Sequence, residues 1–168
     1  MTGIQAVIDI PEGYPLLVLG IILGFAIYDI KTKRAPDKAL ALFAPAALAA
    51  PFIHAAGQYG GAVSQRLLAL VLLRSLAGAA AGFAILLAAA LTSKDGQGVG
   101  GGDVKFAAIL GFIYGPYDIV GVLLVASLLA LLVGWVVRKR SGGLALRLPF
   151  IPFIAAGCLI ATILRLFD

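Results

Sequence analysis

Six apolar segments separated by short polar connections make up most of this chain and leave little choice of architecture. They run roughly over 14–29, 38–53, 67–91, 104–114, 117–137 and 149–167, the third interrupted by Arg74. A helix needs about 20 apolar residues to cross the hydrocarbon of a bilayer. The third, fifth and sixth segments meet that length; the first and second fall a little short and are expected to extend at their ends. Inside hydrocarbon every backbone N–H and C=O must be paired within the protein, so such segments form helices. The expected fold is therefore all-α: a polytopic membrane protein of about six transmembrane helices. With 62% hydrophobic and 12% charged residues, against about 25% charged in a soluble domain, the chain reads as one membrane domain over 1–168. There is no room for a separate soluble domain.

The fourth segment breaks the pattern. Its roughly 11 residues cover only about 17 Å at 1.5 Å each. It is a partial span, or it continues backward into the glycine-rich stretch GVGGGDVK at 98–105. Non-helical backbone at membrane depth is tolerated only where it is enclosed by protein or faces water. Either case makes the surroundings of Asp103 an enclosed, partly wet site.

The net charge of +5 sits mostly in loops. Lys31, Lys33, Arg34 and Lys38 lie between the first two segments, and Lys94 and Lys105 flank the third connection. Arg138, Lys139, Arg140 and Arg147 lie between the last two. These are ten of the thirteen basic residues. The positive-inside rule then puts these three loops in the cytoplasm and both termini outside. Asp29 and Asp103 fall at the cytoplasmic face, and Asp9, Glu12 and Asp118 fall outside. No aromatic residues cluster in the basic loops to stack on bases, which argues against nucleic acid. Asp9 and Glu12 stand where a signal peptide would be basic, so the first segment reads as a retained helix.

Other chemistries find little support. Cys158 is the only cysteine, which excludes an intramolecular disulfide and a cysteine-cluster zinc site. It lies in an apolar run and reads as a small core residue. His54 is the only histidine, and no nucleophile-elbow pattern accompanies it. A lone histidine and scattered acids call for no metal, and nothing calls for a cofactor. In the third segment, Gly78 and Gly82 have the spacing that brings helices close; packing within the chain is expected over a dimer contact.

The two aspartates carry the chemistry. Each has a plain structural reading: Asp103 as a helix N-cap after a glycine turn, Asp29 as an interfacial anchor balanced by lysines. Together those readings weaken, because both acids fall on one side of the membrane beside short or broken helices. Two carboxyls at close range cannot both ionise cheaply and share a proton. The ionised one draws a proton from water, which attacks a carbonyl; the other protonates the carbonyl oxygen. Their titration belongs to the pair, so neither role attaches to a particular residue. Gly100, Gly101 and Gly102 let a substrate backbone approach Asp103 and allow an unusual angle into the helix.

At these residues the chain resembles a known family. Gly100, Gly101, Gly102 and Asp103 match the GxGD signature of membrane aspartyl proteases. The longer run GVGGGDVKFAAILG at 98–111 is similar to the type IV prepilin peptidase version. The stretch DIKTKRAPD at 29–37 resembles that family's first acidic block, with Asp29 as the acid and Pro36 as the proline. PFIPF at 149–153 resembles its lead-in to the last helix. Three blocks in order make the likeness much stronger than a lone GxGD. Ala35, Asp37, Val99 and Phe106 depart from the family's usual residues, and none of these changes removes an acid.

The resemblance implies an aspartic endopeptidase of the inner (cytoplasmic) membrane that cuts the basic leader from a prepilin or pseudopilin at the cytoplasmic face. Asp29 and Asp103 are the implied catalytic pair. Gly100, Gly101, Gly102, Lys105 and Pro36 are implied to bind substrate or shape the site. Membrane lipid and pilus assembly machinery are the implied surroundings. Lys105 reads more simply as a solvated or snorkelling lysine, and Asp37 and Asp95 more simply as loop charges. The four-cysteine zinc motif of the larger bifunctional members is missing from the sequence, so the small protease-only form of tight-adherence pilus systems is expected. Asp29 and Asp103 are 74 positions apart, so the first and fourth helices must be neighbours, and cysteines at 30 and 104 are expected to cross-link. Two other readings use the same acids: a presenilin-like intramembrane protease, and a small transporter or channel with proton or cation sites.

Overall fold

Each apolar segment becomes one helix, and five of the six run past the bounds hydropathy suggests. The computed structural model describes residues 13–32, 37–59, 64–92, 99–140 and 149–167. The helices are α1 (Gly13–Thr32), α2 (Asp37–Tyr59), α3 (Gln65–Thr92), α4 (Gly101–Tyr114), α5 (Pro116–Arg140) and α6 (Ile151–Phe167). No strand occurs among the described residues. Polar residues prolong the helices where they suit the ends. Arg138, Lys139 and Arg140 fill the last turn of α5, where cations meet the negative end of the helix dipole. Lys139 also lies over the Trp135 ring, 5.5 Å from its centroid. α4 stays short at 14 residues, or about 21 Å.

The surface is apolar where a soluble protein would be polar. α3 and α5 have mean hydropathies of 2.1 and 2.7 over their most apolar windows, and only 22% of each window is buried. Leu70, Leu73, Leu91, Leu131, Leu132 and Trp135 are between 63% and 76% exposed. In water such a belt would aggregate; in a bilayer it meets lipid tails. The chain is a polytopic membrane protein. α2 carries Pro45 and Pro51 internally and remains one helix, which membrane helices tolerate because neighbours re-pair the freed carbonyls.

α3 and α4 make the tightest contact, and glycine causes it. A Cβ on Gly78 would lie 2.7 Å from Gly115 carbons and collide with the Gly111 carbonyl; one on Gly111 would lie 2.6 Å from the Gly78 carbonyl carbon. Gly82 sits on the Ala107 carbonyl in the same way. The expected close packing through Gly78 and Gly82 is thus within the chain. The pairing 78 with 111 and 82 with 107 sets these helices antiparallel. Gly157 against the Val122 carbonyl brings α5 and α6 equally close.

Gly115 joins α4 to α5 with φ +86°, the one positive φ among the described residues. The Arg74 guanidinium packs where its Cβ would be, with Nε at 2.9 Å. From there Arg74 pairs with Asp118 at 3.5 Å and donates to the Tyr114 carbonyl at 3.4 Å. Arg74 does not interrupt α3, as its charge in an apolar segment suggested. A charge within a membrane helix is tolerated when a partner answers it.

Candidate active site

The site lies at the end of the bundle where α1 finishes and α4 and α6 begin. Three phenylalanines from three helices form its floor. Phe25 of α1 meets Phe106 of α4 with ring centroids 5.3 Å apart, and Phe43 of α2 lies 5.8 Å from Phe25 and 6.4 Å from Phe106. All three are buried. Their tilted geometry is the favourable one for aromatic pairs. α1 and α4 therefore touch, as the 74-residue separation of the acids required.

Each acid stands one helical turn from this floor, toward the same end. Asp29 follows Phe25 by four residues, about 6 Å of rise; Asp103 precedes Phe106 by three, about 4.5 Å. Asp29 is only 4% exposed. The main-chain N–H of Ile151, in the first turn of α6, donates to its carboxylate, while Oδ2 has no hydrogen-bond partner among the described residues. Burying a carboxylate with an orphaned oxygen is costly. A plain interfacial anchor would be turned to water, so that reading of Asp29 does not fit.

Asp103 is half-buried and sits in the third position of α4, not at its cap. The cap is Gly100, whose N–H donates to Asp103 Oδ2 at 3.0 Å. Its carbonyl accepts from the N–H groups of Asp103 and Val104 at 3.0 and 3.3 Å. This is half of a capping box, since glycine has no side chain to return the bond. Gly100 has φ −76° and ψ 154°, ordinary extended backbone. The expected unusual angle into the helix is absent; a short turn carries the chain in, and Gly101 and Gly102 join the helix. Space is another matter. Among the described residues, a Cβ on Gly101 would meet nothing within 4 Å, and one on Gly100 would meet Asp103 Oδ2 at 3.4 Å. Packing against the described residues does not account for glycine at 101.

Lys105 is exposed on the next turn of α4. Pro36 lies outside the described residues, as do Lys33, Arg34, Lys94 and Asp95. Cys158 is buried in α6, as a small core residue should be. Ile30 is 57% exposed and Val104 only 5%, so that pair is poorly oriented for the cross-link expected of it.

Sequence reading missed one residue of the site, Ile151. The signal lies in PFIPF at 149–153, the lead-in to the last helix. Phe150 caps α6, its carbonyl accepting from Phe153 and Ile154 N–H at 3.0 and 3.2 Å. Pro152, lacking an N–H, sits in the first turn where none is needed. That leaves the Ile151 N–H directed at Asp29.

Comparison with known proteins bears on the family of the chain. The family model described as the type IV leader peptidase family matches residues 16–135. The prepilin leader peptidase/N-methyltransferase of Bacillus subtilis (strain 168) is 33% identical over 154 residues, covering 89% of this chain and 55% of that protein. The chain thus spans about half the length of this curated relative. No solved structure matches the chain. A family model across most of the sequence and a relative aligned along nearly all of it lead to one assignment: this chain belongs to the type IV leader peptidase family.

Proposed function

We propose that this protein is a membrane aspartic endopeptidase that removes the leader from type IV prepilin-like substrates at the cytoplasmic face, with Asp29 and Asp103 as its catalytic pair. The observation that carries this reading is the position of both acids one turn beyond the Phe25–Phe106 contact, at one end of the bundle. Family membership supports proteolysis over transport. The loop charges support a cytoplasmic site, since the acids lie at the end from which the basic connections leave.

The chemistry follows from two carboxyls with one proton between them. The carboxylate takes a proton from water, and the hydroxide equivalent adds to the scissile carbonyl carbon. The carboxylic acid gives its proton to the carbonyl oxygen. Collapse of the tetrahedral intermediate breaks the C–N bond, and the proton taken from water passes to the leaving amine. The open space beside Gly101 suits an extended substrate backbone laid against Asp103. Lys105 and Pro36 border that approach in sequence. The substrate's apolar segment stays in the bilayer while its leader reaches the acids.

The test is cleavage of a co-expressed prepilin from the same genome by wild type, Asp29→Asn and Asp103→Asn. Wild type cuts, and both variants insert in the membrane and fail to cut. Normal cleavage by either variant rejects the two-acid mechanism.

A further inference from the structure

We propose that Ile151, through its main-chain N–H at the start of α6, is a positioning residue for Asp29. The catalytic part of this inference rests on the peptidase reading above; the structural part does not.

Asp29 sits in a place that its own helix cannot satisfy. It lies near the C-terminus of α1, where backbone carbonyls leave partial negative charge. A carboxylate there is disfavoured unless something opposes that field. The opposing group is the N-terminus of α6, whose unpaired N–H groups and dipole favour an anion. α6 has 17 residues, long enough for that dipole to develop. Ile151 is 0% exposed and Asp29 4%, so the bond between them is shielded from water. A hydrogen bond to a charged group gains strength in such surroundings.

The division of the carboxylate follows. One bond to the Ile151 N–H holds the Asp29 side chain against α6. Oδ2, buried and without a partner among the described residues, is left for the reacting atoms. Asp103 has the same kind of support from a different helix, because the Gly100 N–H at the start of α4 donates to it. Two helix N-termini therefore converge on two acids. The sequence around Ile151 ensures that its N–H is the one offered. Phe150 supplies the cap and Pro152 has no N–H to compete.

The donor can be removed with little damage. Proline is well suited to the first position of a helix, and the extended backbone of a cap residue suits the position before proline. Ile151→Pro deletes the N–H, and Ile151→Val keeps it while trimming the buried side chain. A second route replaces Ile151 by its α-hydroxy acid analogue, which turns the amide into an ester and changes no side chain. Two readouts apply. The first is kcat and KM on a prepilin. The second is the infrared band of the Asp29 carboxyl, isolated by subtracting the Asp29→Asn spectrum, which needs no activity.

With the donor removed, kcat falls by about tenfold or more, KM stays within about twofold, and the Asp29 band shifts. Ile151→Val leaves the band unmoved and keeps most of the rate. An inserted Ile151→Pro or ester protein with an unmoved band overturns the inference, even if its rate is reduced, because the residue is then merely structural. A shifted band with an unchanged kcat overturns the positioning role. A shifted band in a protein whose wild type cuts no prepilin supports the Ile151–Asp29 bond and sinks the peptidase reading instead.

Discussion

Phe25 and Phe106 lie ring against ring at 5.3 Å, and this contact joins the helix that carries Asp29 to the helix that carries Asp103. The acids have no chain connection shorter than 74 residues, so their relative placement depends on packing at this floor. Phe106 is fully buried. Phe106→Ala is expected to cost about 3–5 kcal/mol of stability, and Phe106→Leu less than half of that. Cleavage falls further than folding alone explains, because α1 and α4 lose their register. Thermal midpoints in detergent and rates on inserted protein check this; wild-type cleavage by inserted Phe106→Ala counts against the floor as a positioning device.

The two acids are expected to differ in what they do for stability. Asp103 bonds the Gly100 N–H at the start of α4. Asp103→Ala loses that bond and about 1 kcal/mol, whereas Asp103→Asn retains an acceptor oxygen and is nearly neutral. Asp29 is buried with an orphaned oxygen, so Asp29→Asn, which removes the charge and keeps an acceptor for Ile151, raises stability by about 1 kcal/mol. On the proposed two-acid mechanism both asparagine variants are expected to be inactive. A thermal midpoint for Asp29→Asn below that of wild type would falsify the view that Asp29 is held against a stability cost.

Hydropathy located all six helices because the bilayer allows little else for runs of this length. Their ends were less legible: Gly101 and Gly102 read as turn residues and are helical, since a helix start tolerates glycine when its carbonyls find partners within the chain. Asp103 and Asp29 stand out in the sequence through their glycine and proline neighbours. Their environments are not legible there. That Asp29 is buried against α6, and that Ile151 answers it, depends on a contact between residues 122 positions apart, which no local pattern encodes. Arg74 was misread for the same reason, because its partner Asp118 is on another helix.

Glycine substitutions separate packing from composition. Gly78 and Gly111 face each other's backbone carbonyls with no room for a methyl group, whereas a methyl group at Gly20 or Gly24 would meet nothing within 4 Å among the described residues. Gly78→Ala and Gly111→Ala force α3 and α4 apart and are expected to destabilise by about 1–3 kcal/mol. Gly20→Ala and Gly24→Ala improve helix propensity and are expected to be neutral or to stabilise by up to about 1 kcal/mol. Thermal midpoints of the four variants in one detergent make the comparison. Equal effects at all four positions would refute the close α3–α4 approach.

Arg74 stands at the end of the bundle away from the acids. Arg74 holds the α4–α5 turn in three ways: it pairs with Asp118 at 3.5 Å, bonds the Tyr114 carbonyl at 3.4 Å, and packs on Gly115. Asp118 begins α5, where a carboxylate also suits the helix dipole. Removing Asp118 alone leaves Arg74 with a carbonyl and no counter-charge among the described residues, whereas removing Arg74 alone leaves Asp118 in the favourable field of the α5 N-terminus. Asp118→Asn should therefore cost more than Arg74→Met, and the double variant should cost less than the sum, with a coupling of about 0.5–1 kcal/mol for a pair that is partly exposed. None of the three should alter KM, because the turn is a full helix length of α4 from Asp103. A double-mutant cycle on thermal stability, with cleavage kinetics of the same proteins, reads both quantities. Strict additivity would remove the ion pair from the account of this turn, and a changed KM would mean that the far end of the bundle reports to the site.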